Sequence, residues 1–187
     1  MTRNIYIYIC FFFIFILSSR SSAVMRAFTT EELTKGSEAV ITGVIDDIES
    51  FWATSNGRKT IITRVKVNLI EVIRGSLPQE SLFVEYEGGQ VGDIVLEVSD
   101  MEPFTKGEEV ILFLNKATML RNPVDSNIKS ASAADNIYYI KGKAQGKYVV
   151  NKDSVAIKKG YSVADEKNGA DKVIKKDILI DKIRSIR

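Results

Sequence analysis

The side chains that could do chemistry here are carboxylates, a cluster of glycines, and aromatics with lysine and arginine close by in sequence. Imidazole and thiol are almost missing: the 187 residues contain no histidine, and the single cysteine is Cys10. A Ser-His-Asp or Cys-His nucleophile therefore has no base, and the usual zinc ligands are absent. Carboxylates remain, as Asp46 with Asp47 and Glu85 with Glu87. Such pairs serve acid-base catalysis or bind hard cations when they share a site. Adjacent residues of a strand point to opposite faces, Asp47 already has Lys66 as a cross-strand partner, and no D-x-D-x-D-G loop occurs. We expect no enzyme activity, no metal and no cofactor.

Gly88-Gly89-Gln90-Val91-Gly92 resembles an anion cradle in composition, since glycines let backbone amides converge on a phosphate. It lacks the Lys-Ser/Thr of a phosphate loop and opens no helix, so a strand-breaking corner is expected. Phe51, Trp52 and Tyr86, with Lys59, Arg64 and Lys66, have the composition of a stacking platform for single-stranded nucleic acid or sugars. The surrounding body is acidic, which favours core aromatics. Asp46 stands as one polar residue on an apolar face, opposite Val67, either at a rim or with a specific partner. Lys141, Lys143 and Lys147 read as a solvated turn.

The element that must position these residues runs from Glu38 to Gly75, two long apolar segments joined at Asn56-Gly57, a strong hairpin signal. With those two as the loop, Trp52 faces Ile61, Ile48 faces Val65 and Val44 faces Leu69, so large apolar groups line one face. On the other face Glu49 meets Arg64 and Asp47 meets Lys66. Gly43 falls opposite Ile70. There the apolar positions of the second strand shift from odd (Val65, Val67, Leu69) to even (Ile70, Val72), which predicts a bulge and a coiled sheet.

Ahead of the hairpin, Thr29 and Glu32 have capping-box spacing, and a short helix is expected over Thr30 to Lys35 with Gly36 as a left-handed cap. After it, Leu82, Val84 and Tyr86 alternate in a third strand, and Ile94 to Val98 form a short fourth. Val110-Ile111-Leu112-Phe113-Leu114, apolar throughout, should be the most buried strand. Lys116 to Asn136 is a long polar connection, a length usually kept for function. Ile137 to Ile140 and Lys147 to Val150 suggest a last hairpin, which Val155 to Ile157 extend. Leu179, Ile183 and Ile186 at helical spacing predict a terminal amphipathic helix begun by Asp177.

Residues 1–23 read as a signal peptide: Arg3, an apolar run from Ile5 to Leu17, then small residues before a cut after Ala23, with Ala27 as a second option. The run is short for a membrane span. Cleavage would leave 24 basic and 24 acidic residues. These are unevenly placed, with 11 basic and 18 acidic over 24–140, net −7, and 13 basic and 6 acidic over 141–187, net +7. Either the basic tail binds an anionic partner, or it packs against the acidic body.

Ala39-Val40 with Gly43-Val44, Val72-Ile73-Arg74-Gly75, Gly88-Gly89, and Phe104-x-x-Gly107-Glu108-x-Val110-x-Leu112-Phe113-Leu114 resemble a family of exported bacterial and archaeal proteins. Its architecture is similar to netrin-like modules and tissue inhibitors of metalloproteinases. The resemblance covers about Leu33 to Val150 and implies an OB fold. Those inhibitors address the protease metal through an N-terminal cysteine, which the cleaved chain lacks, so that mechanism is carried over to no residue here.

The expectation is thus a mainly β protein: an OB-like, closed or partly open antiparallel β-barrel over 24–159, with a short N-terminal helix, then a polar linker and C-terminal amphipathic helix over 160–187. Its expected role is a non-catalytic, secreted or periplasmic (cell-envelope) module that binds another exported protein, inhibitor-like. The alternative is a carbohydrate or polymer binder at the cell surface. Nucleic acid is not expected, nor a membrane span after cleavage. Loops on a rigid scaffold usually carry binding, which points to Gln90 and Val91 in the glycine corner and to Arg121 and Asn122 in the long connection.

Overall fold

A computed structural model of the chain describes residues 27–55, 57–77, 80–98, 101–117, 122–123, 136–159 and 172–187. The expected signal peptide, Asn56, Arg121, most of the 116–136 connection and most of the polar stretch from Gly160 lie outside the described residues. Among the described residues the fold is mainly β with two helices, α1 (Thr30–Lys35) and α2 (Lys176–Ser185). Among the described residues no helix is long and apolar enough to cross a membrane.

Strands β1 (Ala39–Ser55) and β2 (Arg58–Arg74) form the expected hairpin, closed by Ser55 opposite Arg58 with Gly57 at φ +74°. From Trp52/Ile61 down to Asp47/Lys66 the register is the one the side-chain pattern dictates. Beyond that, bulges intervene. Asp46 drops out of the ladder on β1, so Val44 lies opposite Asn68 rather than Leu69, and Gly43 opposite Leu69 rather than Ile70. Ile70 is itself skipped on β2, where the change of apolar phase predicted a bulge. Gly43 is required there, because a Cβ would come within 2.7 Å of both the Asn68 carbonyl oxygen and Val67 Cγ1.

Strand β3 (Ser81–Glu87) pairs antiparallel with β2, and β6 (Glu109–Lys116) pairs antiparallel with the first part of β1, Ala39–Val44. Strand β8 (Ile137–Ile140) lies antiparallel to β6 and parallel to β3. The five strands close a ring in the order β1, β2, β3, β8, β6 and back to β1. The expected antiparallel pairing fails at the β3/β8 seam for a topological reason: an odd number of strands cannot alternate direction all the way round a closed ring. Inside the ring Ile41, Ile45, Val65, Leu82, Val110, Leu112 and their neighbours form one core.

The expected hairpin between β8 and β9 (Lys147–Val150) does not form. Both strands line the same edge of β6, β8 along Leu114–Lys116 and β9 along Glu109–Leu112, separated by a 3-10 turn over Lys143–Gly146. Gly142 enters that turn at φ +70°. Strands β10 (Val155–Lys158) and β11 (Val173–Lys175) continue the sheet outward from β9. The outer face of this sheet carries a second core: Val40, Ile111, Phe113, Tyr148 and Ala156 pack against Leu33 of α1 and Leu179, Ile180 and Ile183 of α2. Strand β6 is apolar at successive positions because it is covered on both faces, and Val110 to Leu114 are all fully buried.

The capping box of α1 is present, with Glu32 N–H donating to Thr29 Oγ1 and Thr29 N–H to the Glu32 carboxylate. Gly36 is not left-handed, at φ −88°. The basic tail lies against the acidic body: Lys147 pairs with Glu108, Lys159 with Glu102, Lys176 with Glu109 and Arg184 with Glu71. Of the two readings of the charge asymmetry, these contacts favour packing against the body.

Candidate binding site

Beyond Val44, β1 leaves β6, and two other segments come to this half of the β1–β2 hairpin. One is a separate two-stranded sheet, β4 (Gly89–Val91) with β5 (Ile94–Leu96), turning at Gly92-Asp93. The other is β7 (Asn122–Pro123), whose backbone pairs with Ala53 and Thr54 of β1.

The β4–β5 sheet is pinned by hydroxyls. Thr63 Oγ1 donates to the Gly88 carbonyl at 2.6 Å and lies 2.9 Å from Ser50 Oγ, while Gly88 N–H donates to the Ile61 carbonyl. Gly89 passes directly over this pair at φ +125°, and a Cβ there would lie 2.2 Å from Thr63 Oγ1 and 2.5 Å from Ser50 Oγ. The glycines of this stretch thus serve close backbone approach, and the expected corner is in fact one strand of a small hairpin. A Gly-Asp turn between Gln90-Val91 and Ile94-Val95 is the signal that marks it.

Gln90 is exposed and Val91 half-buried on β4. Asn122 sits on β7 three to four residues along β1 from Ser50, which β4 covers. Arg121 lies outside the described residues. Near the hairpin tip Trp52 is half-buried, and Lys59 Nζ stands 4.6 Å above its ring. That ammonium occupies a ring face on which a sugar or base would stack.

The carboxylates considered for chemistry all have structural partners. Lys66 Nζ lies 2.7 Å from the bulged Asp46, hydrogen-bonding its carboxyl and holding it below its ordinary pKa. Asp47 faces Lys106 at 3.6 Å. Glu85 accepts from Arg64, and Glu87 accepts from Thr60 Oγ1. Among the described residues no group of three metal-ligating side chains assembles. The face on which Glu49 was expected to meet Arg64 is buried near the tip, where Phe51, Ala53 and Ile62 cluster and the Arg64 guanidinium lies 5.0 Å from the Phe51 ring.

Lys147, expected at a solvated turn, is fully buried. Its Nζ donates to the Pro103 carbonyl at 3.0 Å, lies 3.0 Å from Glu108 Oε2, and sits 4.0 Å above the Phe104 ring. Burial pulls its pKa down against the opposing pull of Glu108. Together these contacts tie the 103–108 turn to β9. Burial likewise raises the phenol of Tyr86, whose ring packs 5.9 Å from Phe104.

An open groove of about 760 Å³ lies toward the other end of β2, along Asn68–Val72 and Glu80–Ser81, and contains none of the expected site residues. No protein-family model and no curated protein matches this chain.

Proposed function

We propose that the chain is an exported, OB-like module that acts by binding another exported protein, inhibitor-like and without catalysis. The observation that supports this reading is the return of β4–β5 and β7, the segments that hold Gln90, Val91 and Asn122, to the same half of the β1–β2 hairpin. The OB-like reading is supported by the ring order and its single parallel seam, β3 with β8. Export is supported by the apolar run of residues 5–17 and the small residues before Ala23. The lysine over Trp52 favours a protein partner over the alternative polymer or carbohydrate ligand.

The test is capture from an envelope extract with wild-type protein and with a Gln90→Ala/Val91→Asp variant and an Asn122→Ala variant. A protein retained by the wild type at high salt and lost from the variants is the expected result. A partner that both variants keep, and that high salt releases, would place binding on the charged surface instead, because salt screens exposed charges. The intact mass of the exported protein should correspond to a chain starting at Val24.

A further inference from the structure

The amine of Lys147 takes no part in the binding role proposed above, and its surroundings suit a nucleophile better than a solvated cation. The side chain is fully buried, its Nζ lies 3.0 Å from Glu108 Oε2, and the Phe104 ring covers it at 4.0 Å. The ion pairs made by Lys35, Lys66, Lys106, Lys159 and Lys176 leave between 26% and 71% of the lysine side chain exposed, so water hydrates those ammonium groups. Around Lys147 it cannot. Burial draws this amine toward its neutral form, in which the nitrogen carries a free lone pair. Passing the proton to Glu108 leaves an amine beside a carboxylic acid, a neutral pair that a dry site favours over two separate charges.

The carboxyl carbon of Glu108 is one bond beyond an oxygen that already touches Nζ. Thr105 N–H donates to that same oxygen at 3.4 Å, so a donor stands where negative charge grows when the nitrogen attacks the carbon. A second carboxylate is close. Glu102, held 3.2 Å from Lys159, acts electrostatically on Lys147 and can carry a proton from the nitrogen to the departing oxygen.

From this geometry we infer that Lys147 and Glu108 condense into an intramolecular isopeptide bond once the chain has folded. The Nζ–Cδ bond forms, the bond from Cδ to the protonated Oε1 breaks, and one proton of Nζ joins the departing hydroxyl, so that one water is released and nothing is oxidised or reduced. Well-oriented groups held in contact react at an effective concentration of about 10⁵–10⁸ M, far above that of the water that would reverse the step. The bond joins the turn before β6 to the first residue of β9, and it closes covalently the stretch between them, which includes β7 with Asn122. Cleavage after Ala23 removes Cys10, so no disulfide could supply this link. The inference goes beyond the binding role and does not depend on it, because neither Gln90, Val91 nor Asn122 takes part.

The intact mass of the purified protein tests this. Freshly refolded wild type should begin at its sequence mass and lose one water with time, while the same chain kept in denaturant should lose none. Proteolysis should then give one branched peptide that joins the segments containing Lys147 and Glu108. Lys147→Met and Glu108→Ala should keep their full sequence masses. Glu102→Gln changes a side chain that is 43% exposed, and it should slow the loss by about 10²-fold. Lys147 titrates only while its amine is free, so the pH dependence that this group gives to stability should fade as the water is lost. A wild type that keeps its full sequence mass through prolonged incubation in the folded state, or a lost water that fragmentation places away from Lys147 and Glu108, would overturn the inference whether or not the variants fold.

Discussion

Arg64 donates from Nε and Nη2 to one carboxylate oxygen of Glu85, at 2.8 and 2.6 Å, with both side chains buried, although Glu49 stands directly opposite Arg64 on β1. An arginine in the central strand β2 has a cross-strand neighbour on each side, and it takes the one on β3. The choice matters because a buried ion pair loses its solvation and must recover it from its partner. Arg64→Ala should therefore cost about 3–5 kcal/mol by leaving Glu85 buried and unpaired. Glu49→Ala should change stability by less than about 0.5 kcal/mol. A double-mutant cycle in chemical denaturation should give strong coupling for Arg64 with Glu85 and little for Arg64 with Glu49.

The β4–β5 sheet depends on Gly89. Alanine there meets both a positive φ and two hydroxyls at overlapping distance, so Gly89→Ala should cost about 2–4 kcal/mol. Gly92→Ala, at φ +60° with open space around it, should cost only about 1–2 kcal/mol from the backbone alone. Equal losses in the two variants would mean that the approach to Ser50 and Thr63 is not what holds the hairpin.

Lys147 makes stability depend on pH in a defined direction. Its pKa in the folded protein is depressed below the ordinary 10.5 by burial, so between the two values the unfolded chain holds a proton that the folded one has released. Stability contributed by this group therefore rises with pH across that window and is lowest below it. Wild type minus Lys147→Met should show this rise in denaturation as the pH climbs toward 10.5, the upper end of the window. Taking the difference removes the contributions of Tyr86 and Tyr138, both raised above 10.0 by burial, which act in the opposite direction.

Ile183 on α2 is fully buried against the outer face of the sheet. Ile183→Ala should cost about 2–5 kcal/mol, the range for truncating a core aliphatic. Exposed Ile178 on the same helix should tolerate alanine with a change of less than about 0.5 kcal/mol. Thermal unfolding of the two variants checks whether α2 belongs to the cooperative core.

The sequence by itself determined what depends on near neighbours in the chain. The hairpin register from Trp52/Ile61 to Asp47/Lys66 followed from a two-residue loop and the period of two. The Thr29/Glu32 capping box placed α1, and the unbroken apolar run of Val110 to Leu114 marked the strand buried on both faces. Tertiary structure decided what depends on residues far apart. Glu49 and Glu85 are equivalent candidates for Arg64 in any pairing rule, and only the placement of β3 selects one. Lys147 looks like a solvated turn residue until β9 joins β6 and brings Glu108 and the Pro103 carbonyl to it. The parallel seam between β3 and β8 arises from closing five strands into a ring, a constraint that no local window of sequence contains. That β4 passes over Ser50 while β7 pairs with Ala53 and Thr54 likewise appears only when two separate connections return to the same half of β1, because contacts between distant segments are set by closure and packing rather than by local propensity.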